Sequence, residues 1–301
     1  MKKPTRIFCI LLTLATLVGM MTVTSFAAAA KNEKFDIPFA ITPPVLDGVI
    51  SENEWLGALE RKLTKDNVDD PTNSGLVCQG ATFYWMWDDT GLYMAAVVTD
   101  NSPMADYHAP DAGSFNAKDG LQVNIYADAT ITGAVVKKIL FYSFCPNTTD
   151  GSAVIGEHFV YGDGGSGKNV PTSEAKIGAK YSKTGYTVEV WIGKESLAKC
   201  EPTITVKEGL VLPLANIIMD VDGSKQALFT DTAWFSGVES NKYTLTKAKT
   251  AGKPLAVETT AAAKPAAAKP AASAQTADFV VLPIVAAVIS TGVLAVSKKR
   301  R

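Results

Sequence analysis

The sequence predicts an all-β fold, a sandwich of short strands. Three observations carry it: aromatic and β-branched runs with period-two alternation, Gly/Asp/Asn clusters between those runs, and only two short stretches with helical signals. The strand-rich body spans residues 31–248, which is large for one sandwich but within the range of a single domain.

Taken in order, the first signal is helical. Ser51-Glu52-Asn53-Glu54 has the spacing of a capping box and leads into a short helix at Trp55–Leu59. Phe83–Trp87 and Leu92–Val98 are apolar runs joined by Asp88-Asp89-Thr90-Gly91, which reads as a β-hairpin. Trp85 and Trp87 share a face with Phe83 and are expected in the core. Leu121–Tyr126 alternates apolar and polar residues strictly. Tyr186–Ile192 is a strand with Glu189 at an outward position. Lys194–Lys199 forms a turn of helix, and Val211–Val221 is a longer strand. Turns fall at 150–152, 162–169 and 222–224.

The ends carry targeting signals. Lys2, Lys3 and Arg6 precede the apolar run Ile7–Val23 and then Ser25-Phe26-Ala27-Ala28-Ala29, the order of a secretory signal peptide over residues 1–30. An uncleaved N-terminal anchor is the alternative. Residues 249–275 are rich in Ala, Lys and Pro, with Ala-Ala-Ala-Lys-Pro written twice, and form a semi-rigid spacer. Residues 276–301 hold the apolar run Phe279–Val296, long enough for a transmembrane helix, followed by Lys298-Lys299-Arg300-Arg301. Gln275, Thr276, Ala277 and Asp278 stand where a sortase motif would. With this tail, they resemble the wall-sorting signal of Gram-positive bacteria, although only the threonine of the usual Leu-Pro-x-Thr-Gly is kept. Sortase attachment and a plain membrane anchor both remain open, and both place the body outside the cell. Removal of the seven terminal basic residues and Asp278 turns 29 basic and 30 acidic residues into 22 and 29, a net charge near −7. Such a molecule carries no basic patch suited to nucleic acid.

Chemistry is sparse. Cys78, Cys145 and Cys200 follow the signal, an odd number without C-x-x-C spacing, so buried inert thiols are expected. No G-x-S-x-G, H-E-x-x-H or Cys/His arrangement is present, and the reading is not an enzyme. Asp220-Val221-Asp222-Gly223 begins like a calcium loop but lacks the later glutamate. Asp220, Asp222 and Asp128 are the candidate ligands of a structural calcium, with solvated turns as the alternative.

Five blocks, in order, resemble carbohydrate-binding module family 9, a jelly-roll β-sandwich related to the DOMON-like domains: Val45-Leu46-Asp47-Gly48 with Glu54-Trp55; Trp87-Asp88-Asp89 with Leu92-Tyr93 and Asp100; Asp119–Asp128; Gly185–Glu189 with Ile192; and Asn216–Asp222 with Trp234. The resemblance implies a non-catalytic cell-surface module that binds extracellular polysaccharide by stacking sugar rings on aromatics and hydrogen-bonding their hydroxyls. It implies ligand contacts at Phe115, Asn116 and Gln122, with Tyr107 as an alternative platform. Phe115 takes the place of one family tryptophan, Gln122 that of the family glutamate, and Gly237–Ser240 holds no counterpart of the second tryptophan. A structural or adhesive domain that has lost the sugar site is therefore the alternative function.

Overall fold

The computed structural model describes residues 32–51, 53–103, 118–130, 138–146, 153–159, 168–233 and 236–252. The chain divides into units 1–256 and 257–301, and every described residue lies in the first. Tyr107, Phe115, Asn116, Trp234, the signal peptide, the sorting motif and the apolar tail fall outside the described residues. Among those described, no helix is long and apolar enough to cross a membrane.

The architecture is all-β. The strands are β1 (Lys34–Ala40), β2 (Leu59–Leu63), β3 (Ala81–Asp88), β4 (Gly91–Thr99), β5 (Gly120–Tyr126), β6 (Ile139–Pro146) and β7 (Ala153–Phe159). They continue with β8 (Lys168–Asn169), β9 (Ala175–Ser182), β10 (Gly185–Gly193), β11 (Val211–Asp222), β12 (Lys225–Thr230) and β13 (Asn241–Ala251), and α1 (Lys194–Cys200) lies between β10 and β11. They hydrogen-bond in the order β8-β7-β6-β5-β11-β13-β1-β3-β4-β10-β9, with β12 on β11 and β2 on β3. The path folds back so that β6 and β7 pack on β9 and β10, giving two layers with the core between them.

Period-two alternation fills that core. Phe83, Trp85 and Trp87 of β3, Leu92 to Val98 at even positions of β4, Leu121, Val123 and Ile125 of β5, and Tyr186, Val188, Val190 and Ile192 of β10 belong to one buried cluster. The polar heads of the buried Trp85 and Tyr243 are paired through Asn216. Trp85 Nε1 donates to Asn216 Oδ1 of β11 at 3.0 Å, and the Asn216 amide donates to Asp231 and the Tyr243 hydroxyl.

Two expectations change. The Trp55–Leu59 helix does not form: residues 53–57 are turns, and Leu59 opens β2. Asn53 and Gly57 both have positive φ, at 66° and 78°, which ends any helix before it can propagate. Half of the capping box is nevertheless made, because the Glu54 carboxylate accepts from the Ser51 and Val45 backbones. Glu189 leaves the core face as expected, but it is fully buried. At its far end, β13 pairs in parallel with β1 out to Ala251. Cys78, Cys145 and Cys200 are buried thiols.

Candidate functional site

The face of β5, β6 and β11 turned away from the core is neither uniformly apolar nor solvent-exposed. Because Leu121, Val123 and Ile125 point inward, Gln122, Asn124 and Tyr126 point outward, and all three are fully buried. Ser143 of β6 lies opposite Gln122, and its hydroxyl accepts a hydrogen bond from Gln122 Nε2 at 3.0 Å. Asn124 lies between Phe141 of β6 and Ala215 of β11. Apolar groups flank this polar patch, with Tyr126, Ile139 and Phe141 on one side and Cys145, Ile217, Met219 and Leu228 on the other. Buried amides and a hydroxyl set between apolar walls can bind a polyol, whose ring faces are apolar and whose rim needs donors and acceptors. Of the four expected ligand residues, only Gln122 is described, and it belongs to this patch.

At the start of β5 lies a second polar group. Asp100, Asp119 and Asp220 each offer a carboxylate oxygen within 4.8 Å of the others; Asp100 and Asp119 are buried, and Asp220 stands at the margin of burial. Asp119 accepts from the Val221 backbone at 2.7 Å, and Asp100 from Ser102 at 2.8 Å. Asp220 lines a cavity of about 10 Å³ together with Asp100, Cys78 and Phe229, room for a single small occupant. Burial first, then the charges of Asp100 and Asp222, pushes Asp220 up to about 6. Burial and the charges of Asp119 and Asp100 likewise hold the Tyr181 phenol well above its ordinary value.

The expected calcium set is thus only partly assembled. Asp222 is exposed at the tight β11–β12 hairpin, where Gly223 takes φ 61°, so residues 220–223 end a strand and do not form a chelating loop. Asp128 follows β5 while Asp119 precedes it, which separates them by roughly 25–30 Å at about 3.3 Å per residue. Asp100 and Asp119 are the partners that sequence reading missed; strand pairing brings together residues widely separated along the chain.

A further buried carboxylate, Glu189, is structural. Glu189 of β10 accepts from Trp55 Nε1 at 2.8 Å, Gly48 N at 2.8 Å and Asp47 N at 3.1 Å. It therefore clamps the 45–57 segment onto the outer face of β10. Gly48 makes the approach possible: at φ 79°, a Cβ there would lie 2.3 Å from the Ala179 carbonyl carbon. Burial pushes Glu189 up to about 7 against the pull of its three donors.

The model of the family described as "Carbohydrate family 9 binding domain-like" matches residues 46–248. The chain belongs to this family. It covers both the polar patch and the acidic group, and its architecture is that of a family of carbohydrate-binding modules. Among solved structures, the chain is similar to a carbohydrate-binding module family 9 from Caldicellulosiruptor kristjanssonii in complex with cellotriose. The identity is 17%, with 71% of this chain and 94% of that one covered and a TM-score of 0.48. The same module in complex with glucose aligns at 17% identity, with 71% and 95% covered and a TM-score of 0.46. No curated protein matches the chain.

Proposed function

We propose that the protein is an exported, non-catalytic surface module that binds polysaccharide on the outer face of β5 and β6. The observation that carries this reading is the polar patch of Gln122, Asn124 and Ser143, buried between apolar walls in a member of a carbohydrate-binding family. Gln122, oriented by Ser143, supplies hydrogen bonds to sugar hydroxyls. Phe115, Asn116 and Tyr107 are proposed to complete the contacts from a segment whose roots lie beside β4 and β5. The N-terminal signal, Ala/Lys/Pro spacer and C-terminal tail support display at the cell surface, through a sortase step at Thr276 or a membrane span. Isothermal titration of the full chain against β-glucan, xylan and chitin oligosaccharides tests the reading. Absence of heat at millimolar sugar overturns it and favours a structural or adhesive domain, which the lack of an aromatic over Gly237–Ser240 would explain.

The acidic group fits a structural calcium. Three carboxylates whose oxygens lie within 4.8 Å of one another repel, and the Asp220 carboxylate makes no described hydrogen bond while lining an ion-sized cavity. Asp100, Asp119 and Asp220 would supply hard oxygen ligands, and the bound cation would relieve their repulsion.

A further inference from the structure

Three asparagines are buried among the described residues: Asn124, Asn216 and Asn241. Two of them are well paired. Asn216 accepts from Trp85 and donates to Asp231 and Tyr243, while Asn241 accepts from the Glu33 backbone and donates to the Asp231 carbonyl. Asn124 differs: neither its Oδ1 nor its Nδ2 has a hydrogen-bond partner, and both atoms are shielded from solvent. An amide with both ends buried and unpaired costs stability on each atom, and folded chains rarely retain such a group without a use for it.

Its place suggests that use. Asn124 is two residues from Gln122 on the same face, so the two amides stand about 6–7 Å apart along the strand, close to the width of a pyranose ring. Its cross-strand neighbours are Ala215 on β11 and Phe141 on β6, whose side chains carry no polar atom to pair with the amide. An amide offers one acceptor and one donor edge in a plane, which suits a pair of adjacent hydroxyls of which one donates and the other accepts. We infer that Asn124 is a ligand-contacting, specificity-setting residue that reads a vicinal diol of the bound sugar. The inference rests on the carbohydrate-binding reading and extends it to a residue that motif resemblance does not single out. Binding pairs the amide, so sugars lacking one of the two hydroxyls lose affinity because the amide is again half-unpaired. The groups that shield Asn124 must yield to the ligand on entry.

The test compares the full chain with its Asn124→Leu and Asn216→Leu variants, using cellotriose, glucose and 2- and 3-deoxyglucose as probes. Asn124→Leu is expected to leave the melting temperature unchanged or raise it, because it replaces an unpaired amide by an apolar side chain of similar volume. Asn216→Leu is expected to lower it. Asn124→Leu is expected to weaken cellotriose binding at least tenfold and to erase the parent's preference for glucose over the deoxy sugars. A fall in melting temperature like that of Asn216→Leu would show that the amide is paired structurally and overturn the inference. Unchanged affinity and preference would overturn it equally. If the parent binds none of these sugars, the carbohydrate-binding reading fails and the ligand role falls with it, whatever the melting data show.

Discussion

Glutamate 189 allows a sharp test of how this fold holds its N-terminal segment. One carboxylate oxygen accepts from the Asp47 and Gly48 backbones and the other from Trp55 Nε1. Glu189→Gln keeps the shape and one acceptor. If the remaining oxygen serves the two backbone donors, the new NH₂ faces the indole N–H, donor against donor. An unpaired buried donor costs about 1–3 kcal/mol, and for a body of this size each kcal/mol moves the melting temperature by about 2–4 °C. Glu189→Gln should therefore melt about 2–12 °C lower at pH 8, and Glu189→Ala, which strands three donors, lower still. The pH dependence adds an independent check. Burial makes the folded state hold the Glu189 proton up to about pH 7, whereas the unfolded chain releases it near 4.5. In that interval the folded state binds more protons, so Glu189's contribution favours folding below about 4.5 and is lost as pH rises through 7. Asp220 titrates in both parent and variant, so the difference between their melting curves isolates Glu189. That difference should shift between pH 4.5 and 7 and level off above. A variant that melts with the parent at every pH, or a difference flat across that range, would refute the clamp.

Other outcomes follow from the same geometry. Asn216→Ala should cost about 3–5 kcal/mol by chemical denaturation, since it strands Trp85 Nε1 and leaves Asp231 with fewer donors; a cost below about 1 kcal/mol would contradict the network. Gly48→Ala should cost about 2 kcal/mol or more, because its positive φ and the nearby Ala179 backbone both oppose a side chain, and a melting temperature equal to the parent's would refute this. Cys78 and Cys200 should resist a thiol reagent in the native protein and react after unfolding, as burial pushes them up to about 11 and about 12; fast native labelling would show an open route to them.

The sequence shows the core more clearly than the edges. The hairpin of β3 and β4 is legible to within two residues, because Phe83, Trp85 and Trp87 alternate against a turn with an Asp and a Gly. β1 and β13 are not. Both alternate, with Phe35, Ile37 and Phe39 in β1 and Tyr243 and Leu245 in β13, but Pro38 interrupts the first and three lysines dilute the second; their parallel pairing is a long-range event that no local pattern encodes. At the site, Gln122 is visible because it stands where the family has a glutamate. Asn124 is passed over because alternation alone assigns it to an ordinary polar face, and only the fold shows that this face is buried and the amide unpaired. Asp220 is read as a candidate calcium ligand with Asp222 and Asp128, whereas its neighbours Asp100 and Asp119 emerge only once β4, β5 and β11 are brought together.

That convergence connects the acidic group to ligand binding. Asp100 follows β4 and Asp119 precedes β5, so they bracket the segment that carries Tyr107, Phe115 and Asn116. A cation held by both carboxylates would fix the two roots of that segment relative to each other and to Asp220 on β11. It would lower the entropy lost when a sugar orders the intervening contacts. The chain leaves the body at Ala251, beside Ala40 and the turn end of the β3–β4 hairpin, while Asp100 lies at the other end of β4, roughly 30 Å away at about 3.3 Å per residue. Both roots of the bracketed segment thus lie at the end of the body opposite Ala251. Chelation with EDTA is therefore expected to lower the melting temperature and to weaken cellotriose binding several-fold, with calcium restoring both. Asp220→Asn should reduce the response to calcium. A chain whose sugar affinity is indifferent to EDTA while its melting temperature falls would show that the acidic group supports the fold alone, and one indifferent in both would show that the three carboxylates hold no calcium.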